Sequence, residues 1–123
     1  MKIKNMQGNV IFTGIRDDLC GANLREADLR DADLREANLS YANLAGADLS
    51  GADLRYAALD CAKLNRANLQ GATLRYACLR WANLTDANLR GTDLRAANLR
   101  GADLDGADLA GADLRETKIA FAE

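Results

Sequence analysis

An all-β coil with flat sides is the fold class this 123-residue sequence predicts, and three observations carry it. From Asp17 to Phe121 the chain is a run of five-residue units, each centred on one large apolar residue. The centre is Leu at every fifth position from Leu19 to Leu114, with Ile119 making one more unit, and no Leu occurs elsewhere. Ala stands two residues before the centre in 18 of the 21 units, the exceptions being Asp17, Thr92 and Thr117. A short internal repeat outweighs propensity, because every unit must solve the same packing problem.

A period of five excludes the regular alternatives. On one α-helix the leucines would advance by about 140° per repeat and smear over the whole surface. On one continuous strand, whose side chains alternate, every second Leu would face water. A chain that bends once per unit avoids both faults: Ala and Leu, two apart, point inward on a short straight segment, and the other three residues face out or turn the corner. The residue before the centre is Asp or Asn in 16 units, the exceptions being Ala58, Lys63, Thr73, Cys78 and Lys118.

Units such as Ala27-Asp28-Leu29-Arg30-Asp31 and Ala107-Asp108-Leu109-Ala110-Gly111 resemble the repeat of the pentapeptide repeat family. The resemblance implies an all-β, right-handed quadrilateral parallel β-helix, a solenoid with four units per turn and about five coils, in which the central leucines stack coil upon coil. Four units per turn requires order on every fourth unit, and such order is present. The residue after Leu reads Arg35, Arg55, Arg75, Arg95 and Arg115, and the residue before it Asp33, Asp53, Thr73, Asp93 and Asp113. Another side turns its corners on Asp31, Gly51, Gly71, Gly91 and Gly111, consistent with a turn that needs positive φ. A parallel ladder spacing of about 4.8 Å makes the rod on the order of 25 Å long.

Residues 1–16 are expected as an N-terminal β cap, residues 17–121 as the β-helix and residues 122–123 as a tail. Ile3, Val10, Ile11 and Phe12 around Gly8 predict a hairpin over the first coil. No comparable cap is expected at the other end, so a homodimer through the C-terminal coil, with Ile119 and Phe121 as contacts, is the expectation there.

Composition removes much chemistry. With no His, the commonest general base and zinc ligand are missing, and Cys20, Cys61 and Cys78 are odd in number without CxxC spacing. No catalytic, metal or cofactor-binding residues are assigned, and no cofactor is expected. A formal charge of −2 argues against direct nucleic-acid binding. Without a long apolar run or an apolar leader, no membrane contact and a cytoplasmic location are expected.

The Arg and Asp columns alternate in sign and read as a neutralised surface. The side carrying Leu39, Leu59 and Leu79 differs, because Ala58 and Cys78 replace Asp or Asn. Tyr56 and Tyr76, one turn apart, line one edge of it, and Tyr41, Cys61 and Trp81 line the other. Two readings of this patch stand: an aromatic ladder that packs coil on coil, or a partner-binding surface of Tyr41, Tyr56, Cys61, Tyr76, Cys78, Arg80 and Trp81 anchored on Trp81. The missing chemistry and the Leu-filled interior point to a non-enzymatic interaction or scaffold module with a protein partner. The family resemblance implies an alternative, a DNA mimic that protects or inhibits bacterial type II topoisomerase (DNA gyrase). A mimic calls for strong negative potential along its length, which the Arg column interrupts.

Overall fold

The computed structural model describes residues 1–5, 7–13 and 18–119. Asp17, Phe121 and residues 122–123 lie outside the described residues, as do parts of the expected cap at positions 6 and 14–16. The four-sided parallel β-helix is the architecture observed. Bridges join each unit to the fourth one after it, from Asn23 with Asn43 to Asn98 with Lys118, all of them parallel.

One unit shows how the sequence makes the coil. In Ala47-Asp48-Leu49-Ser50-Gly51 the Ala47 N–H donates to the Leu44 carbonyl at 3.0 Å and closes the preceding turn. Asp48 donates back one coil to Ala27, and Leu49 and Gly51 donate forward one coil to Asn68 and Gln70. The remaining amide, that of Ser50, is taken by the Asp48 side-chain Oδ1 at 3.0 Å. All five donors are therefore used, three of them between coils. The preference for Asp or Asn before Leu follows directly, since these short side chains reach the amide two residues on.

Every corner from Gly21 to Glu116 has positive φ, between 56° and 73°. With the hydrogen bond from the residue after the corner back to Leu, this is the signature of a type II turn. Eight of these corners are Gly, as the sequence suggests, and the other twelve hold side chains in the left-handed region.

The interior is a stack of leucines with alanines beside them, and Leu19 to Leu99 are all buried. The departures from Ala keep the same bonding: buried Thr92 donates its hydroxyl to the Leu69 carbonyl at 2.7 Å, and Thr117 donates to Leu94 at 2.6 Å. At the N-terminal end β1 (Lys2–Asn5) pairs antiparallel with β2 (Val10–Thr13) in the expected hairpin. Strand β1 also pairs antiparallel with β3 (Ala27–Asp28) on the first coil, and Ile3 is buried against the core. Toward the other end Leu104, Leu109 and Ile119 are half-buried and Leu114 is 36% exposed.

Replacing Leu69 by Ala is expected to cost about 2–5 kcal/mol in chemical denaturation, because a cavity opens between rigid coils. Leu114→Ala is expected to cost clearly less, and equal losses at the two positions would contradict the stacked-core account.

Candidate functional site

Two corner columns bound the face that carries Asn38, Ala58, Cys78 and Asn98. On one of them the Tyr56 and Tyr76 rings stack with centroids 5.0 Å apart and planes within 7°. On the other the Trp81 ring lies against Gly101 of the next coil, where a Cβ would overlap the indole. Tyr41 stands one coil before Cys61 in the same column, and the neighbouring Cys61 thiol, with burial and Asp60 adding less, holds the Tyr41 phenol above its ordinary value. The four aromatic side chains remain 67% (Tyr41), 59% (Tyr56), 50% (Tyr76) and 60% (Trp81) exposed. All four occupy left-handed corners, at φ 60–62°.

Between the columns the structure brings Cys78 and Arg80 together through Asp60, which sequence reading did not single out. The Cys78 thiol donates to Asp60 Oδ1 at 2.8 Å, the Arg80 amide donates to the same oxygen at 3.0 Å, and its guanidinium donates to Oδ2 at 2.7 Å. Cys78 cannot accept its own downstream amide as Asn or Asp does elsewhere, and Asp60 supplies that acceptor from the preceding coil. The opposite charges of Asp60 and Arg80, one full turn apart, are the signal of this pairing in the sequence. Burial pushes the Asp60 carboxyl up, but the Arg80 guanidinium and the Cys78 thiol outweigh it and hold it below the ordinary range. Burial, and then the Asp60 carboxylate, push the Cys78 thiol up, which disfavours the thiolate a nucleophile needs.

The expected Arg and Asp columns form paired rungs. Arg55 donates Nε and Nη2 to Asp53 at 2.9 and 2.7 Å, and Arg35, Arg95 and Arg115 grip Asp33, Asp93 and Asp113 in the same two-pronged way. Trp81 also walls a groove of about 630 Å³ that runs over Gly101, Ala102 and Leu104 to Ile119, so two of the sequence-predicted sets adjoin. Phe121 lies outside the described residues. Among the described residues no group of three or more His, Cys, Asp or Glu is placed to hold a metal, and no helix is long and apolar enough to cross a membrane.

Hydrogen bonds from the Arg side chains hold Asp53 and Asp93 below the ordinary carboxylate value of 3.8, and Asp113 at about 2. A carboxylate depressed in the folded state stabilises it above the unfolded value and ceases to do so as pH falls through the folded one. Thermal melting is therefore expected to hold steady above about pH 5 and to decline between about pH 4 and 2, less steeply at about 1 M salt, which screens exposed pairs. A melting temperature that rises as the pH falls through that window would contradict the ladder.

A family model described as pentapeptide repeats matches the chain in eight copies over residues 18–51, 47–86 and 82–119. The chain is similar to alr5209, a pentapeptide repeat protein from Nostoc PCC 7120, at 40% identity and a TM-score of 0.62, over 72% of this chain and 84% of that one. It is 38% identical to HetL, a pentapeptide repeat protein involved in heterocyst differentiation regulation in Nostoc sp. strain PCC 7120, over 79% of this chain and 59% of that one, with a TM-score of 0.47. Full-length QnrB1, a plasmid-mediated fluoroquinolone resistance protein, is alike in fold alone, at 17% identity and a TM-score of 0.50 over 83% of this chain and 65% of that one. No curated protein matches. With its repeats matched from residue 18 to residue 119 and its coils bonded at a four-unit step, the chain belongs to the pentapeptide repeat family.

Proposed function

We propose that this chain is a non-enzymatic module that binds a protein partner through the face bounded by Tyr41, Tyr56, Tyr76 and Trp81, with Cys61, Cys78 and Arg80 between them. The observation that carries the reading is the conformation of the four aromatics: each sits at a left-handed corner, the region bulky side chains avoid. Such a residue costs roughly 1–2 kcal/mol of backbone strain that Gly would not. Elsewhere in the same columns the fold uses Gly21, Gly101 and Ala96, so the corner itself does not call for an aromatic ring. Exposed Tyr and Trp beside Arg are the residue types that supply binding energy at interfaces. Support for a catalytic role is lacking, because the coil interior is filled by Leu and Ala.

The DNA-gyrase reading draws less support from this surface. The Arg35–Arg115 column neutralises the Asp column beside it, whereas a duplex mimic depends on unpaired negative charge. A second copy set end to end over Leu104, Leu109, Leu114 and Ile119 is proposed as the homodimer; a mass twice that of the chain in sedimentation equilibrium is expected, and a monomer at high micromolar concentration would exclude it.

The test of the binding face is capture of partners from a source lysate with wild type, Tyr41→Gly and Trp81→Ala side by side. Tyr41→Gly is expected to leave the melting temperature unchanged or raised while weakening capture, and Trp81→Ala to abolish capture with a small loss of stability. Capture unaffected by either substitution, or a collapse of the fold on Tyr41→Gly, would refute the proposal.

A further inference from the structure

The Arg column has one rung unlike the rest. Where Asp33, Asp53, Asp93 and Asp113 stand in the other coils, the intervening coil has Thr73. In the neighbouring rung the Asp53 carboxylate accepts three donors from Arg55: its backbone N–H at 3.2 Å, Nε at 2.9 Å and Nη2 at 2.7 Å. In the rung beyond, Asp93 accepts the same three from Arg95 at 3.1, 2.9 and 2.7 Å. The side chain of Thr73 offers Arg75 no such carboxylate. Arg75 Nε and the Thr73 hydroxyl are buried polar atoms without a hydrogen-bond partner among the described residues. Arg75 Nε itself lies 4.0 Å from Asp93 Oδ2, within ion-pair range but beyond hydrogen-bond reach, and Arg95 already grips that oxygen at 2.7 Å.

Other units that lack Asp or Asn do not gather donors this way. At Cys78 the acceptor is restored from inside the molecule by Asp60. At Ala58 and Lys63 the residues two further on are Asp60 and Asn65, which bring no guanidinium. Among the described residues, Thr73 Oγ1 and Arg75 Nε are the buried side-chain polar atoms left without a hydrogen-bond partner. The Arg75 guanidinium is steered by the Tyr76 ring, 5.9 Å from its centroid, and faces a groove of about 210 Å³ rimmed by Arg95, Ala96, Arg115 and Glu116. Tyr76 is the second ring of the tyrosine stack.

We infer that Thr73 and Arg75 form a receptor for a carboxylate, supplied by an Asp or Glu side chain of the protein partner that packs on Tyr56 and Tyr76. The incoming group takes the place the Asp carboxylate holds in the rungs on either side. Because Nε and the Thr73 hydroxyl are buried in the unbound chain, binding requires the Arg75 side chain to turn aside and admit the carboxylate. Two-pronged guanidinium–carboxylate recognition is directional, so this contact fixes the register of the partner along the rod while the aromatics supply affinity. The inference rests on the interaction face proposed above, and it fails or holds separately, because a small carboxylate tests the receptor without any partner.

The test is an NMR titration of the full chain with sodium acetate against sodium chloride at matched ionic strength, following the Arg75 backbone amide and Nε–H. Saturable shifts at Arg75 with acetate alone, absent from Arg55 and Arg95, are expected. They should vanish in Thr73→Asp, where a built-in carboxylate fills the rung, and in Arg75→Ala for the Thr73 amide. Identical responses to chloride, or at all five rungs, would overturn the receptor. A blocked peptide carrying Phe-Glu is expected to saturate the site at roughly tenfold lower concentration than acetate, since its ring packs on the tyrosine stack. Equal affinities for peptide and acetate would overturn the assignment to a protein side chain.

Discussion

The backbone ladder between coils, stepped by four units, is the constraint on which the rest of this molecule depends. A unit in the middle coils commits three of its five amides to neighbouring coils and one to its own turn, and where Asp or Asn precedes Leu the fifth goes to that side chain. A buried amide without a partner is costly, so the unit cannot change length without unbonding its neighbours above and below. From that follow the fixed Leu and Ala positions and the left-handed corner. The hairpin at the start follows too, since β1 engages the first coil at β3.

This arrangement divides the residues into two sets. Inward positions and the residue before Leu are fixed by packing and bonding, whereas corners and the residue after Leu are left to the surface. Function in a solenoid of this kind lies in the free set. That is why an aromatic ring at a left-handed corner carries more information than one in a core. Two of the units that lack Asp or Asn, on adjoining faces, make the same point from the other side. At Cys78 the missing acceptor is restored by Asp60, and at Thr73 it is not.

The fold is legible in the sequence because periodicity dictates it. Leu at every fifth position requires the bend, and Arg, Asp and Gly recurring on every fourth unit require the coil. The hairpin is legible from Ile3, Val10 and Phe12 around Gly8. Less of the site can be read. The pairing of Tyr56 with Tyr76 follows from their separation by one turn, yet the packing of Trp81 on Gly101 depends on the direction in which a corner side chain leaves the coil. The pairing of Asp60 with Arg80 is open to a column reading, since they lie one full turn apart, but the bond from Cys78 to Asp60 is hidden from it because that is a diagonal step, two positions short of a full turn. Arg75 is hidden in a neutral column, since net charge is blind to which guanidinium lacks its carboxylate.

Amide hydrogen exchange, resolved by residue, tests the ladder account most directly. Slow exchange is expected through the buried coils, with Leu and corner amides as protected as one another and the residue after Leu protected wherever Asp or Asn precedes Leu. The amides of Asp60, Asn65 and Arg75, whose units have Ala58, Lys63 and Thr73 instead, are expected to exchange fast within that protected frame. Protection that ignored the identity of the residue before Leu, or that followed no five-residue rhythm, would contradict the account.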